Sequence, residues 1–156
     1  MPDTHSTYPV AIRWEGEKRG RASSADGLPE LEVAAPPAFG GPPGLWSPEH
    51  LFVLSAASCW MTTFLAVAHA SGLSPAGVDC PAEGTVIRGD DRRYRIATIA
   101  LRPRVTVSDE ALREKTLRLM AKAESACLIS ASMSATVTME PEVVVSAQIA
   151  PGKPMV

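Results

Sequence analysis

The sequence predicts an α+β domain with largely antiparallel sheet, and three observations carry that prediction. The elements run in the order strands, helix, strands, helix, strands, not as alternating parallel units. The β-rich runs come in neighbouring pairs separated by turn-forming residues. Between them lies "LFVLSAASCWMTTFLAVAHASG", Leu51 to Gly72, with no Asp, Glu, Lys or Arg. A helix of that composition has to be covered on all sides.

The chain has 156 residues, enough to bury a sizeable single core, so 1–156 reads as one domain with 1–8 and 150–156 as frayed termini. From the N-terminus, Val10, Ile12 and Trp14 alternate with Ala11 and Arg13 as a first strand, "GRASSADG" is a second, and "LEVAA" a third. From Pro36 to Pro48 the density of Pro and Gly excludes regular structure and leaves a structured loop carrying Phe39, Leu45 and Trp46. Ser47, Pro48 and Glu49 then form a helix start: a capping hydroxyl, a first-turn proline, and an acid at the positive end of the dipole. The helix stops near Gly72. Two β-rich runs flank Gly89-Asp90-Asp91 as a hairpin, with Pro103 demoting the far part of the second run to an edge or a bend. Ser108 is read as the cap of a second helix, "DEALREKTLRLMAKAESACLI", whose buried stripe is Leu112, Thr116, Leu119, Met120, Ala123 and Cys127. "SATVTM" and "EVVVSAQIA" close the chain as a hairpin around Glu140-Pro141.

Composition narrows the function. A net charge of -2 and a pI near 5.9 argue against nucleic acid or an anionic lipid surface as partner. The N-terminus has no secretory pattern, so a cytoplasmic location is expected. Three cysteines, Cys59, Cys80 and Cys127, show no CxxC spacing and suggest neither a disulfide framework nor a paired-knuckle zinc site. The uncharged stretch is long enough to span a membrane. Its central Ser55, Ser58, Thr62 and Thr63, and the lack of flanking cations or an aromatic belt, argue against one. Cover from a second subunit is the economical alternative, hence a two-fold homodimer is expected.

Cys59 sits among small, slightly polar neighbours, and Cys127 lies on the buried stripe of the other helix. A lone cysteine in such a helix is ordinarily inert packing. Two thiols meeting between helices can instead reduce a peroxide: a thiolate takes the peroxide oxygen, becomes a sulfenic acid, and is captured by the second thiol. That chemistry needs a lowered thiol pKa and an outside reductant. A Cys-His hydrolase or metal site using His50 or His69 is disfavoured, since each lies about three helical turns from Cys59. Trp60 and Met61 read as core, and Cys80 has no implied role.

The segments "WEGEKRGRASSADG", "SPEHLFVLSAASCWMTTFLA" and "KAESACLISASM" together resemble the OsmC/Ohr family of osmotically inducible and organic hydroperoxide resistance proteins. The resemblance covers most of residues 10–149. It implies an intertwined α+β homodimer with a long buried central helix and two sites at the subunit interface. It also implies thiol-dependent reduction of organic hydroperoxides or hydrogen peroxide, with Cys59 peroxidatic and Cys127 resolving. Glu49 would hold an arginine that stabilises the thiolate. Arg19 is the first choice for that arginine and Arg21 the second. Phe39, Leu45 and Trp46 would wall the peroxide pocket. No metal or bound organic cofactor is implied, only an external dithiol or lipoyl reductant. Relatives commonly have Cys-Pro where this chain has Cys127-Leu128. The rival expectation is a non-catalytic dimer of the same fold that binds an apolar small molecule.

Overall fold

The structure, a computed structural model, describes residues 5–147; of the ends read as frayed, 1–4 and 150–156 lie outside the described residues, as do residues 148–149 at the end of the last expected strand. The chain forms two compact units, divided between Leu51 and Phe52 within the first turns of a long helix, α1 (Pro48–Ala70).

The first unit is a three-stranded antiparallel meander of β1 (Ala11–Trp14), β2 (Arg19–Ser23) and β3 (Leu31–Ala34). Opposite residues share a face, so Ile12, Trp14, Ala22, Leu31 and Val33 form an apolar side, and Arg13, Arg19, Arg21 and Glu32 lie on the other. The Pro-rich segment is a structured loop, although it contains one 3-10 turn, Pro37–Phe39, where none was expected. Prolines suit the first position of such a turn, and Gly40, at φ 76°, ends it. The loop is tied to its own sheet by Ala34 N–H to Trp46 O at 2.8 Å and by Lys18 Nζ to Phe39 O at 2.5 Å. Gly41 is confined more tightly still, because a β-carbon there would lie 1.6 Å from Ala35 O.

Ser47 caps α1 as its sequence indicates. Its Oγ accepts the His50 N–H at 3.2 Å, and His50 Nδ1 accepts the Ser47 N–H at 3.3 Å. This is a reciprocal capping box in which His50 takes the place usually held by Glu or Gln.

The second unit carries the rest of α1 and two three-stranded sheets. One has the order β4 (Gly77–Asp79), β7 (Arg104–Val107), β9 (Glu142–Val145); the other β5 (Ala82–Arg88), β6 (Tyr94–Leu101), β8 (Thr136–Met139). The β5/β6 hairpin forms around Gly89-Asp90-Asp91 as predicted. Of the two outcomes expected at Pro103, an edge or a bend, the second is found: the chain changes sheets at Arg102-Pro103, and β7 becomes the middle strand of the other sheet. One expectation fails here. The last two strands are no hairpin: Glu140-Pro141 is a second such crossing, so β8 pairs parallel with β6 and β9 parallel with β7. Each sheet is therefore mixed. Arg104 and Glu142, opposite one another in the β7/β9 pair, meet at 2.8 Å.

The second helical region also departs from its expected outline. Asp109, not Ser108, is the cap, its carboxylate accepting the Ala111 N–H at 2.9 Å at the start of a 3-10 turn. This turn leads into α2 (Arg113–Ser125), which ends at Ser125 instead of continuing to Ile129. A separate short helix, α3 (Leu128–Ser132), follows, with Cys127 in the cap position. The core joins Ala56, Trp60, Phe64 and Ala68 of α1 to Ile99, Leu101, Val105, Val107, Met120 and Ala123. Trp60 stacks on Phe64 at 5.3 Å and donates to Met120 O at 3.4 Å.

By length and mean hydropathy, 1.8, α1 would suit a membrane, and the same properties suit a core helix. One of its faces is built into the core, and in the single chain Ser58, Thr62, Ala66 and His69 on the opposite face are exposed.

Candidate active site

α1 places Cys59 at half-burial, one turn before Thr63, whose Oγ1 is 4.0 Å from the sulfur. The break after α2 brings Cys127 to it. With φ -69° and ψ 110°, Cys127 is extended, and its sulfur turns over the first turn of α3, accepting the Ser130 N–H at 3.5 Å. All three cysteines are free thiols.

The environment sets the two sulfurs apart. Burial opposes ionisation of Cys59, but the Cys127 thiol, the Ile129 N–H, the Thr63 hydroxyl and the Leu128 N–H together outweigh it and hold its pKa below the ordinary thiol value. Cys127 is only 2% exposed, and burial pushes its thiol up. The Ser130 hydroxyl and N–H pull it back in part, and the neighbouring Cys59 raises it again. Cys59 is thus the more acidic of the pair. None of the groups that lower it is a charged side chain. Cys80 lies apart from this chemistry, since burial and the Glu124 carboxylate push its thiol up to about 11. Glu124 is itself shifted upward by burial, with one carboxylate oxygen buried and unpartnered among the described residues.

The other residues singled out in the sequence lie in the first unit. Glu49 has a carboxylate oxygen, Oε2, buried without a hydrogen-bond partner, so no arginine among the described residues holds it. Arg21 is already engaged: it meets Glu15 at 2.8 and 3.1 Å and Glu32 at 3.2 Å, with Glu30 at 3.8 Å. Those carboxylates, Glu15 first, raise its pKa further. Arg19, on the same face of β2, is exposed. Trp46 is 45% exposed and sets its ring edge-on to His50 at 6.2 Å. Phe39 is 37% exposed in the 3-10 turn, and Leu45 is half-buried.

The contribution of the α3 amides was not legible in the sequence. A cysteine is not among the residues that usually mark a helix start, and the apolar period runs through Cys127 without interruption. The one available signal was the run of small and hydroxylated residues around it, Ser125, Ala126, Ser130 and Ser132.

Mixed sheets packed on a central helix, with one acidified thiol facing a second, define a thiol-bearing α+β domain. The OsmC-like protein family matches residues 41–142, and the chain belongs to that family. It is similar, at 24% identity over 91% of its length and 95% of the other protein's, to the uncharacterized protein YmaD of Bacillus subtilis strain 168. Among solved structures, an organic hydroperoxide resistance protein of Legionella pneumophila, also described as a predicted redox protein, is 25% identical with a TM-score of 0.72. That match covers 92% of this chain and 100% of the other. An OsmC-like protein of unknown function from Vibrio cholerae superposes with a TM-score of 0.79 at 18% identity, covering 88% of this chain and 99% of its own.

Proposed function

We propose that this protein is a thiol-dependent peroxidase that reduces organic hydroperoxides. The observation that carries the reading is the Cys59 thiol, acidified beside the buried Cys127 thiol. The name of the Legionella relative supports the substrate class.

The Cys59 thiolate attacks the terminal peroxide oxygen. The O–O bond breaks, the hydroxyl passes to sulfur as a sulfenic acid, and the alkoxide takes a proton and leaves as the alcohol. Sulfur is oxidised by two electrons and the peroxide reduced by two. Cys127 then attacks the Cys59 sulfur, forming the disulfide and releasing the hydroxyl as water with the proton that Cys127 gave up. An external dithiol, of which a lipoyl group is one, reopens the disulfide and is oxidised in turn.

Glu49 brings a buried, unpartnered carboxylate oxygen, suited to holding an arginine that polarises the peroxide. Arg19 is the better candidate, because Arg21 is already committed to three carboxylates. The exposed face of α1 supports a homodimer built on that helix. Hydrogen peroxide is the secondary substrate, and no metal or resident cofactor enters the scheme.

The deciding experiment incubates the reduced protein with cumene hydroperoxide and a dithiol, and follows peroxide loss together with the Cys59–Cys127 disulfide by mass spectrometry. Wild-type protein consumes peroxide and forms that disulfide, and Cys59→Ser does neither. Thiols that stay reduced in the wild type would instead support the non-catalytic binder of apolar molecules.

A further inference from the structure

We infer that Ser130 is a positioning residue for Cys127: its N–H is already given to the sulfur, and its hydroxyl, buried and without a hydrogen-bond partner among the described residues, is free to take up the charge when the thiol ionises. The inference rests on the peroxidase reading and deepens it by assigning a group to the second, disulfide-forming step.

Ser130 is tied in place through its backbone. Its N–H is given to Cys127 Sγ at 3.5 Å, and its carbonyl accepts the Met133 N–H at 3.2 Å. Only the hydroxyl is left over, with Oγ buried. Serines in helices ordinarily return the hydroxyl to a carbonyl one turn back. Two neighbours do so: Ser132 donates to Leu128 O at 2.8 Å, and Ser125 to Ala121 O at 3.2 Å. Ser130 makes no such bond.

A buried hydroxyl without a partner costs free energy unless some state of the protein uses it. A neutral thiol is a weak acceptor, whereas a thiolate is a strong one. The hydroxyl and the N–H of Ser130 both favour the ionised Cys127, against burial and against the Cys59 sulfur. Cys127 must lose its proton to attack the Cys59 sulfenic acid. In that step the S–S bond forms, the S–OH bond breaks, and the departing hydroxide with the Cys127 proton makes water. Ser130 holds the sulfur over α3 and takes up the charge without leaving or changing oxidation state.

The test needs no peroxide for its first arm. In a Cys59→Ala, Cys80→Ala background, Cys127 is titrated by the ultraviolet absorbance of its thiolate. Ser130→Ala is expected to move the midpoint up by about one pH unit, the worth of a hydrogen bond to a charged group. Ser130→Thr, which keeps a hydroxyl, restores it. Titrations of the Ser130→Ala and parent proteins that superimpose would overturn the inference. In the second arm, all three cysteines are present and one equivalent of cumene hydroperoxide is added. Ser130→Ala is expected to slow disulfide formation at neutral pH about threefold, since a tenfold loss of thiolate is partly offset by its greater nucleophilicity. Failure of Cys59 to form a sulfenic acid would sink the peroxidase reading, while the first arm still decides the role of Ser130.

Discussion

The neighbouring Cys59 and Cys127 thiols act on one another in opposite directions, Cys127 lowering the pKa of Cys59 and Cys59 raising that of Cys127. Burial works against ionisation of both, so the difference in their other partners decides which sulfur is the nucleophile. Cys59 has the N–H groups of Leu128 and Ile129 and the Thr63 hydroxyl in addition. An alkylating reagent at neutral pH will therefore label Cys59 first. Cys80, raised to about 11, will be labelled last despite its partial exposure. Time-resolved peptide mass spectrometry with iodoacetamide reads the order, and early labelling of Cys80 would contradict it.

Cys80 also contributes to the pH dependence of stability, with a definite sign. Its folded pKa is raised, so its contribution is fully present below the unfolded thiol value of about 8.5 and is lost as pH rises. The loss ends as pH passes the folded value of about 11. Urea titrations of wild type and Cys80→Ala across that alkaline window are expected to show a steeper fall for the wild type. Parallel curves would remove Cys80 as the source.

Leu128 occupies the first position of α3, where a proline is well tolerated but has no N–H to give. Cys127 before it is already extended, φ -69° and ψ 110°, a conformation compatible with a following proline. Leu128→Pro should fold, and should cost Cys59 one hydrogen-bond donor. The expected result is a rise in the Cys59 midpoint, measured by the pH dependence of alkylation. An unchanged midpoint would mean that the Cys127 thiol, the Ile129 N–H and the Thr63 hydroxyl suffice without it.

How far the sequence could be read depends on whether local signals were unique. The start of α1 was legible because Ser47, Pro48 and Glu49 satisfy three separate end rules at once, and its stop at Gly72, φ 66°, because few other residues adopt that conformation readily. The hairpin around Gly89-Asp90-Asp91 was legible for the same kind of reason. Glu140-Pro141 carried an equally strong turn signal and misled, since a turn sequence fixes a change of direction and not the partner of the next strand. β8 and β9 each found a strand already placed in a different sheet. The thiol pair was foreseeable from the buried stripe ending at Cys127, but the amides that acidify Cys59 arise only because the helix breaks at that residue.

The face of α1 carrying Ser58, Thr62 and Ala66 gives the proposed dimer a direct test. Small side chains let two helices approach closely, and a long cation at the centre of such a contact would be buried without a partner. Thr62→Arg is expected to shift the protein from dimer to monomer in analytical ultracentrifugation, with its circular dichroism retained. A monomeric wild type, or a variant that stays dimeric, would place the interface elsewhere.

The capping box at the head of α1 bears on Glu49, which lies between its two members. Ser47 is fully buried, and its hydroxyl and the His50 ring nitrogen are 2.7 Å apart. Ser47→Ala removes the side-chain half of the box and is expected to cost about 1 kcal/mol of stability in urea denaturation. His50→Gln keeps an acceptor of the kind that usually fills this position and is expected to lie near wild type, whereas His50→Ala leaves the Ser47 N–H without its partner. If Glu49 serves the peroxide step, peroxide consumption will follow the same order, with His50→Gln retaining it and Ser47→Ala and His50→Ala lowering it. Variants that lose the box yet keep full turnover would separate the helix start from the chemistry at Cys59.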